Sequence, residues 1–404
     1  MHLLVEDPAA QERIPSRRRG EDADLTLEHM VRVSGRPRWV NKLRAAVLLF
    51  AARLINFRRF GGTWRVSLDR LETGDVRVVL SVLYLPFAEM DLDEWFRAKP
   101  DDTYFKQLTD HITQVKEDLE GEDPDGSRKV IVRSKADLED AVEAKKVAII
   151  HCVEGGFHLG PRKEEIGPRV AELAECGVAY ITLAHLFWRR VATNAPAIPF
   201  LPDWGYDAIF RQPRDEGLSE LGVAAVEAMY EHGILIDVSH MRREALDDTF
   251  RELDRLDRKH RRKPQDYPVI ATHAGYRFGF QDYMLKRDVI EKIAARDGVI
   301  GLIMARHQLY SGLGISFRHD LGRTVKAMRR HIDAIHRVTG SHRHVAIGSD
   351  LDGFIKPTVH GIENVDDLGA LERPLRRLYP DDAEAILSGN GLRVVERAFA
   401  QRPG

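Results

Sequence analysis

From about residue 145 onward the chain alternates short apolar runs with amphipathic helical stretches, and no other feature of it restricts the fold so strongly. The apolar runs VAIIHCVE, VAYITLAH, ILIDVSH, PVIATH, GVIGLIMA and HVAIGSD have the length and β-branched content of buried strands. Between them lie KEEIGPRVAELAEC, SELGVAAVEAMYEH, KRDVIEKIAAR and TVKAMRRHIDAIHRV, with apolar residues three or four apart and a charged opposite face. This is the pattern of repeated βα units around a parallel sheet. An earlier run, VRVVLSVLYL, precedes the helical stretch DTYFKQLTDHITQVKEDLE and brings the strands to seven. The fold class expected is therefore α/β, a TIM-type (β/α)8 barrel over residues 65–404. Residues 1–64 are read as an N-terminal extension with an amphipathic helix at RAAVLLFAARLINF. Seven strands do not close such a barrel, and the missing one is expected before Val76.

With 404 residues, 43% of them hydrophobic and 31% charged, the chain can bury a large core, and a disordered or fibrous reading is excluded. A formal net charge of −2 argues against a general polyanion binder, so the basic runs RIPSRRRG and RKHRRK are read as solvated faces and no nucleic-acid partner is expected. Cys152 and Cys176 are the only cysteines, which implies no disulfide framework and points to a reducing, cytoplasmic compartment. The longest apolar stretch is interrupted by Arg53 and falls short of the roughly 20 residues a membrane span requires. No stable membrane insertion is expected.

Five of the seven strands end on a residue able to bind metal or move protons: Glu154, His185, His240, His273 and Asp350. In a βα barrel the carboxyl ends of all strands meet at one mouth, so residues far apart in sequence converge there. Histidine and carboxylate without thiolate suit zinc or a comparable divalent ion, and a carboxylate can bridge two. Two ions about 3.5–4 Å apart generate hydroxide at neutral pH and hold both the attacking oxygen and the substrate carbonyl, so hydrolysis is the favoured chemistry. The chain has no G-x-S-x-G elbow, HExxH, P-loop or GxGxxG, and VEGGFHLG lacks the spacing of a nucleotide loop.

In order and spacing, VEGGFHLG, GVAYITLAH, GLSELGVAAVEAMYEHGILIDVSH, PVIATHAG and HVAIGSDLDG resemble the membrane (renal) dipeptidases, zinc-dependent barrels of the wider amidohydrolase group. The resemblance runs over roughly residues 65–400, and LIDVSH followed by GSDLDG is its most telling pair. It implies that Glu154 bridges two zinc ions and that His240 and His273 are ligands of one of them. It places His185 against the substrate and the oxyanion, and makes Asp350 the proton-handling group beside the water and the substrate amine. The implied substrate is a dipeptide or similarly small amide. Asp352 is read as a turn or capping residue.

Two departures stand out. The family's first strand carries a His-x-Asp, or in wider relatives His-x-His, and no such pair stands in the corresponding place here. The arginine that usually reads the substrate carboxylate, about ten residues past the sixth-strand histidine, is replaced near Tyr283, with Arg277 as the candidate substitute. Two zinc ions per chain are thus expected only if first-strand ligands are supplied. Both the missing strand and the missing pair fall before Val76, and a single cause would explain them: Met1 is an internal methionine, and the strand lies upstream. His2 would then lie near the barrel mouth, or be an ordinary terminal residue. The rival cause is loss of the ligands in a degenerate relative. Beside the dipeptidase reading stand a hydrolase of lactones or N-acyl amino acids on the same centre, and a catalytically impaired barrel holding one metal or none. A homodimer is left open.

Overall fold

The structure is a computed structural model that describes residues 66–402, apart from 67, 86–88, 90–98, 199–200, 316–319, 352 and 354–357. The amphipathic stretch assigned to residues 1–64, His2 and Asp352 lie outside the described residues.

In chain order the elements that carry the site are β1 (Val78–Leu83), α1 (Asp102–Glu122), β2 (Lys129–Val132), α2 (Lys135–Glu143), β3 (Val147–Glu154), α3 (Lys163–Glu175) and β4 (Tyr180–Thr182). They continue with α4 (Asp203–Ile209), α5 (Glu220–His232), β5 (Leu235–Asp237), α6 (Arg243–His260), β6 (Val269–Ala274), α7 (Arg287–Ala295) and β7 (Val299–Ile303). The last are α8 (Arg306–Leu309), α9 (Leu321–Thr339), β8 (Val345–Gly348), α10 (Glu372–Leu378) and α11 (Asn390–Ala400).

All seven strands read from the sequence are present, parallel, in the order β1-β3-β4-β5-β6-β7-β8. An eighth strand, KVIV of β2, was not read from the sequence, and it is not the stave sought before Val76. Its register explains its role. Residues 148–153 of β3 pair with β1, whereas β2 pairs with 147–150 and β4 with 153–154. β1 overlaps both other partners and must occupy the opposite edge of β3, so β2 and β4 share one edge end to end. Among the described residues β8 pairs only with β7, and the curled sheet is open between β8 and β1. The stave expected there lies outside the described residues.

The alternation of β3 separates two layers. Val147, Ile149 and Val153 join the core shared with Ile166, Val170 and Leu173 of α3. Ala148, Ile150 and Cys152 turn to the concave side with Val82, Tyr180, Leu235, Ile270 and Val299, where Val394, Val395, Ala398 and Phe399 of α11 join them. Just past α11, Arg402 donates to the carbonyls of Arg133, Ala174 and Val178, tying the chain's end to the segment before α2, the last turn of α3 and the approach to β4. The opposite, carboxyl end is thereby left as the mouth.

The helices begin and end where the sequence supplies caps. Ser219 accepts from the Leu221 and Gly222 amides at the start of α5, and Gly233 closes it in the left-handed conformation. Asp320 and Gly340 do the same for α9. Two glycines are required by close packing of β6, β7 and β8. A Cβ on Gly301 would stand 2.0 Å from the Thr272 carbonyl oxygen, and one on Gly348 would stand 1.9 Å from it. That contact lies one residue before His273.

Candidate metal centre

The strand ends converge as the barrel reading requires. Glu154 closes β3, and its Oε1 lies 3.6 Å from His240 Nε2 and 3.4 Å from His273 Nε2, which are 2.8 Å from each other. Its Oε2 faces His185 Nε2 at 3.4 Å. Glu154, His185 and His240 offer ligand atoms all within 4.8 Å of one another, and these three side chains and that of His273 are buried. Donors around a tetrahedral zinc-sized ion, with bonds of about 2.0–2.1 Å, stand about 3.3 Å apart. The triangle of Glu154, His240 and His273 therefore fits a divalent cation without rearrangement of the strands, and nitrogen and carboxylate donors suit zinc.

A carboxylate beneath this cluster fixes one imidazole. Asp237, the last residue of β5, is fully buried and accepts four hydrogen bonds. The Ser239 and Thr272 amides donate to its Oδ1 at 3.0 and 2.9 Å, and the Thr182 and Thr272 hydroxyls donate to its Oδ2, each at 2.6 Å. An ionised carboxylate only accepts. The Thr272 proton is thus committed to Asp237, and its oxygen must accept from His273 Nδ1, 2.7 Å away. With the proton on Nδ1, His273 presents a bare Nε2 to the cluster, which is the atom a metal needs.

Two of the five residues adopt left-handed backbone: His240 at φ 64° and Asp350 at φ 52°. This conformation costs non-glycine residues about 1–3 kcal/mol and persists only where the surroundings impose it. At His240 they do. The Ser239 amide is held by Asp237, the Ala195 amide donates to the His240 carbonyl at 2.6 Å, and the Arg242 amide donates to the Thr193 carbonyl at 2.9 Å. Asp350 follows β8 and lines a small cavity with His185, His240 and Tyr283. Its carboxylate lies against Gly353, where a Cβ would stand 2.2 Å from Oδ1.

Tyr283 and Arg277, the two substrate-side candidates, part company. The buried Tyr283 hydroxyl donates to the His273 carbonyl at 2.8 Å and its ring meets His240 edge-on at 4.9 Å. Burial, then the charges of Asp350, Glu154 and Asp237, push its phenol well above the ordinary tyrosine range. Arg277 spends its donors on its own loop, giving Nη1 to Asp282 at 2.6 Å and Nη2 to the Phe280 carbonyl at 2.7 Å. It borders a separate, larger cavity of about 950 Å³ with Trp204, Arg211 and Lys286, and is not brought to the cluster.

Sequence reasoning missed Asp237 and a second carboxylate, Glu89. Asp237 stood inside the quoted LIDVSH, where a charge within an apolar strand signals a buried network. Glu89 carries no such signal, yet it is fully buried against His185. Burial alone would raise its carboxyl. The charge and hydrogen bond of His185, with the Tyr84 hydroxyl and the Phe187 amide, outweigh burial and leave it below its ordinary value.

The profile of the family described as membrane dipeptidase, peptidase family M19, matches residues 23–402. An uncharacterized protein of the pqqA 5′ region of Klebsiella pneumoniae is 26% identical over 271 residues, 66% of this chain and 88% of that protein. An uncharacterized dipeptidase of Schizosaccharomyces pombe is 27% identical over 263 residues, 60% of this chain but 52% of the yeast protein. In fold, the chain is similar to a metallo peptidase from Rhodobacter sphaeroides solved with a phosphinate mimic of the dipeptide L-Ala-D-Ala. The TM-score is 0.64 at 20% identity, covering 92% of this chain and 96% of that one. With its curled parallel sheet and its cluster of histidines around Glu154, the chain belongs to the membrane dipeptidase family, peptidase family M19, a family of metal-dependent dipeptide hydrolases.

Proposed function

We propose that the chain hydrolyses the peptide bond of dipeptides at a divalent metal held by Glu154, His240 and His273. The observation that carries this reading is the donor triangle itself, with one imidazole already fixed in the metal-binding tautomer. A bound divalent ion supplies a water of lowered pKa and polarises the scissile carbonyl. The other steps belong to side chains. His185, on the far oxygen of Glu154, donates to the oxyanion that develops as the carbonyl is attacked. Asp350 takes the proton of the attacking water and returns it to the leaving amine. Tyr283 holds the His273 backbone and walls the cavity.

Zinc is the ion the donors favour, and the described residues supply one site of three ligands, with His185 on the other oxygen of Glu154. A second ion requires ligands beyond these. The two cysteines, Cys152 buried and Cys176 half-buried, are both free and suit a reducing, cytoplasmic setting; no helix among the described residues is long and apolar enough to cross a membrane. Hydrolysis of N-acyl amino acids or lactones is a second reading, favoured by the capture of Arg277 by its own loop, which removes one grip on a substrate carboxylate. A panel of dipeptides, N-acyl amino acids and lactones, run on zinc-loaded protein with metal content measured alongside, separates the readings. Bound zinc with turnover of dipeptides supports the first; bound zinc with turnover confined to acyl compounds or lactones replaces it with the second.

A further inference from the structure

Glu89 accepts three hydrogen bonds, one of them from His185. Its Oε2 accepts from His185 Nδ1 and from the Tyr84 hydroxyl, both at 2.5 Å, and its Oε1 accepts from the Phe187 amide at 3.0 Å. A charge this deeply buried is tolerated only when paired and hydrogen-bonded. Because the carboxylate can only accept, the proton on His185 Nδ1 is committed to it, and Nε2 is left as the ring atom turned toward Glu154 Oε2. The ring is also held by packing. Tyr84 meets it edge-on at 4.7 Å and 74°. The segment carrying Tyr84 is itself anchored, since His158 gives its Nδ1 proton to the Gly155 carbonyl at 2.6 Å and accepts the Leu85 amide on Nε2 at 3.1 Å. The end of β1 is thus pinned to the turn that follows Glu154.

We propose that Glu89 is the positioning residue of His185, fixing the proton on Nδ1 and aiming Nε2 at the substrate side of the centre. The inference rests on the reading of His185 as the oxyanion donor. With Nδ1 held by Glu89, the ring needs no reorientation as Nε2 meets the substrate. A carboxylate behind a histidine that acts on substrate confers orientation and tautomer, and partners of this kind typically contribute 10–100-fold to activity.

The test uses the full chain loaded with zinc, with Glu89→Gln and Tyr84→Phe. Nitrogen-15 chemical shifts of the His185 ring report which nitrogen carries the proton, whatever the substrate turns out to be. In the parent protein Nδ1 is expected protonated. In Glu89→Gln the ring is expected in mixed tautomers, with kcat for a dipeptide lowered about 10–100-fold, KM within about twofold and zinc content unchanged. Tyr84→Phe keeps the charge and is expected to retain the Nδ1 proton with a smaller fall in kcat. An unchanged His185 tautomer in Glu89→Gln overturns the proposal, as does loss of zinc from that variant, which would make Glu89 part of the metal site. If no dipeptide is turned over while the tautomer responds as expected, the dipeptidase reading fails and the positioning role stands. Should Glu89→Gln not fold, the ring shifts of the parent protein decide: an unprotonated Nδ1 there refutes the pairing.

Discussion

Asp237→Asn isolates what a buried carboxylate does for a histidine it never touches. The substitution preserves volume, and the amide oxygen can keep the Ser239 and Thr272 amides that Oδ1 now accepts. The amide nitrogen then faces the Thr182 and Thr272 hydroxyls, each 2.6 Å from Oδ2. It donates where the carboxylate accepted. The Thr272 hydroxyl must turn its proton toward His273 Nδ1, 2.7 Å away, and the imidazole proton moves to Nε2, the atom that faces Glu154. Binding a cation now requires expelling that proton. Loss of a partner that holds the far nitrogen of a metal-binding imidazole typically costs 10–100-fold in metal affinity, or about 1.4–2.7 kcal/mol. Folding should suffer by a further loss of about 1–3 kcal/mol, because four charge-assisted bonds become neutral and the Thr182 hydroxyl loses its acceptor. Competition of the metal-free protein against a chromophoric chelator measures the first quantity and urea unfolding the second. Thr272→Val should weaken metal binding similarly, since it removes the acceptor for Nδ1. Affinity unchanged in a folded Asp237→Asn would refute the relay.

Other consequences follow from the same geometry. Glu154→Gln should abolish metal binding and turnover together, because Oε1 and Oε2 face different imidazoles and an amide offers a donor to one of them; zinc content by mass spectrometry decides. Gly353→Ala should displace the Asp350 carboxylate, which a Cβ would approach to 2.2 Å, lowering kcat by about 10²–10⁴ with metal retained, the range for losing a general acid–base. Equal turnover would remove Asp350 from proton transfer. Burial depresses the imidazoles of His151 and His331 to about 4 and of His158 to about 3. Folded values below the unfolded one give stability that is present above about pH 6.5 and lost as pH falls toward 4, at up to about 1.4 kcal/mol per unit for each group. Denaturation series at pH 7, 5.5 and 4.5 should therefore show a steep decline, and a flat profile would contradict neutral burial.

How much of this was legible depends on where the partners lie. The strands were read because period and β-branching are local, and the five strand-end residues because a barrel gathers them at one mouth whatever their spacing. β2 was missed because KVIV is four residues long and pairs with only half of β3. Arg277 was assigned by position, but its guanidinium is captured by Asp282, five residues on, and by carbonyls of its own loop. Glu89 could not be read at all: two of its donors, His185 and Phe187, stand 96 and 98 residues away, and the nearby donor, Tyr84, gives no sign of a buried carboxylate.

Asp237 and Glu89 form the two halves of one arrangement. One acts on His273 Nδ1 through Thr272, the other on His185 Nδ1 directly, and each thereby turns an Nε2 toward Glu154. His273 reaches Oε1 and His185 reaches Oε2, both at 3.4 Å, so the two oxygens of a single carboxylate face imidazoles oriented by different buried acids. Oε1 shares its side with His240, and His185, His240, Asp350 and Tyr283 together line the small cavity. On the proposed function, the orientation of the two imidazoles is thus set beneath the centre, by Asp237 of β5, Thr272 of β6 and Glu89 in the segment after β1. None of these contacts involves the His-x-Asp position of the family's first strand. The orientation proposed for His273 and His185 rests on Asp237 and Glu89 alone.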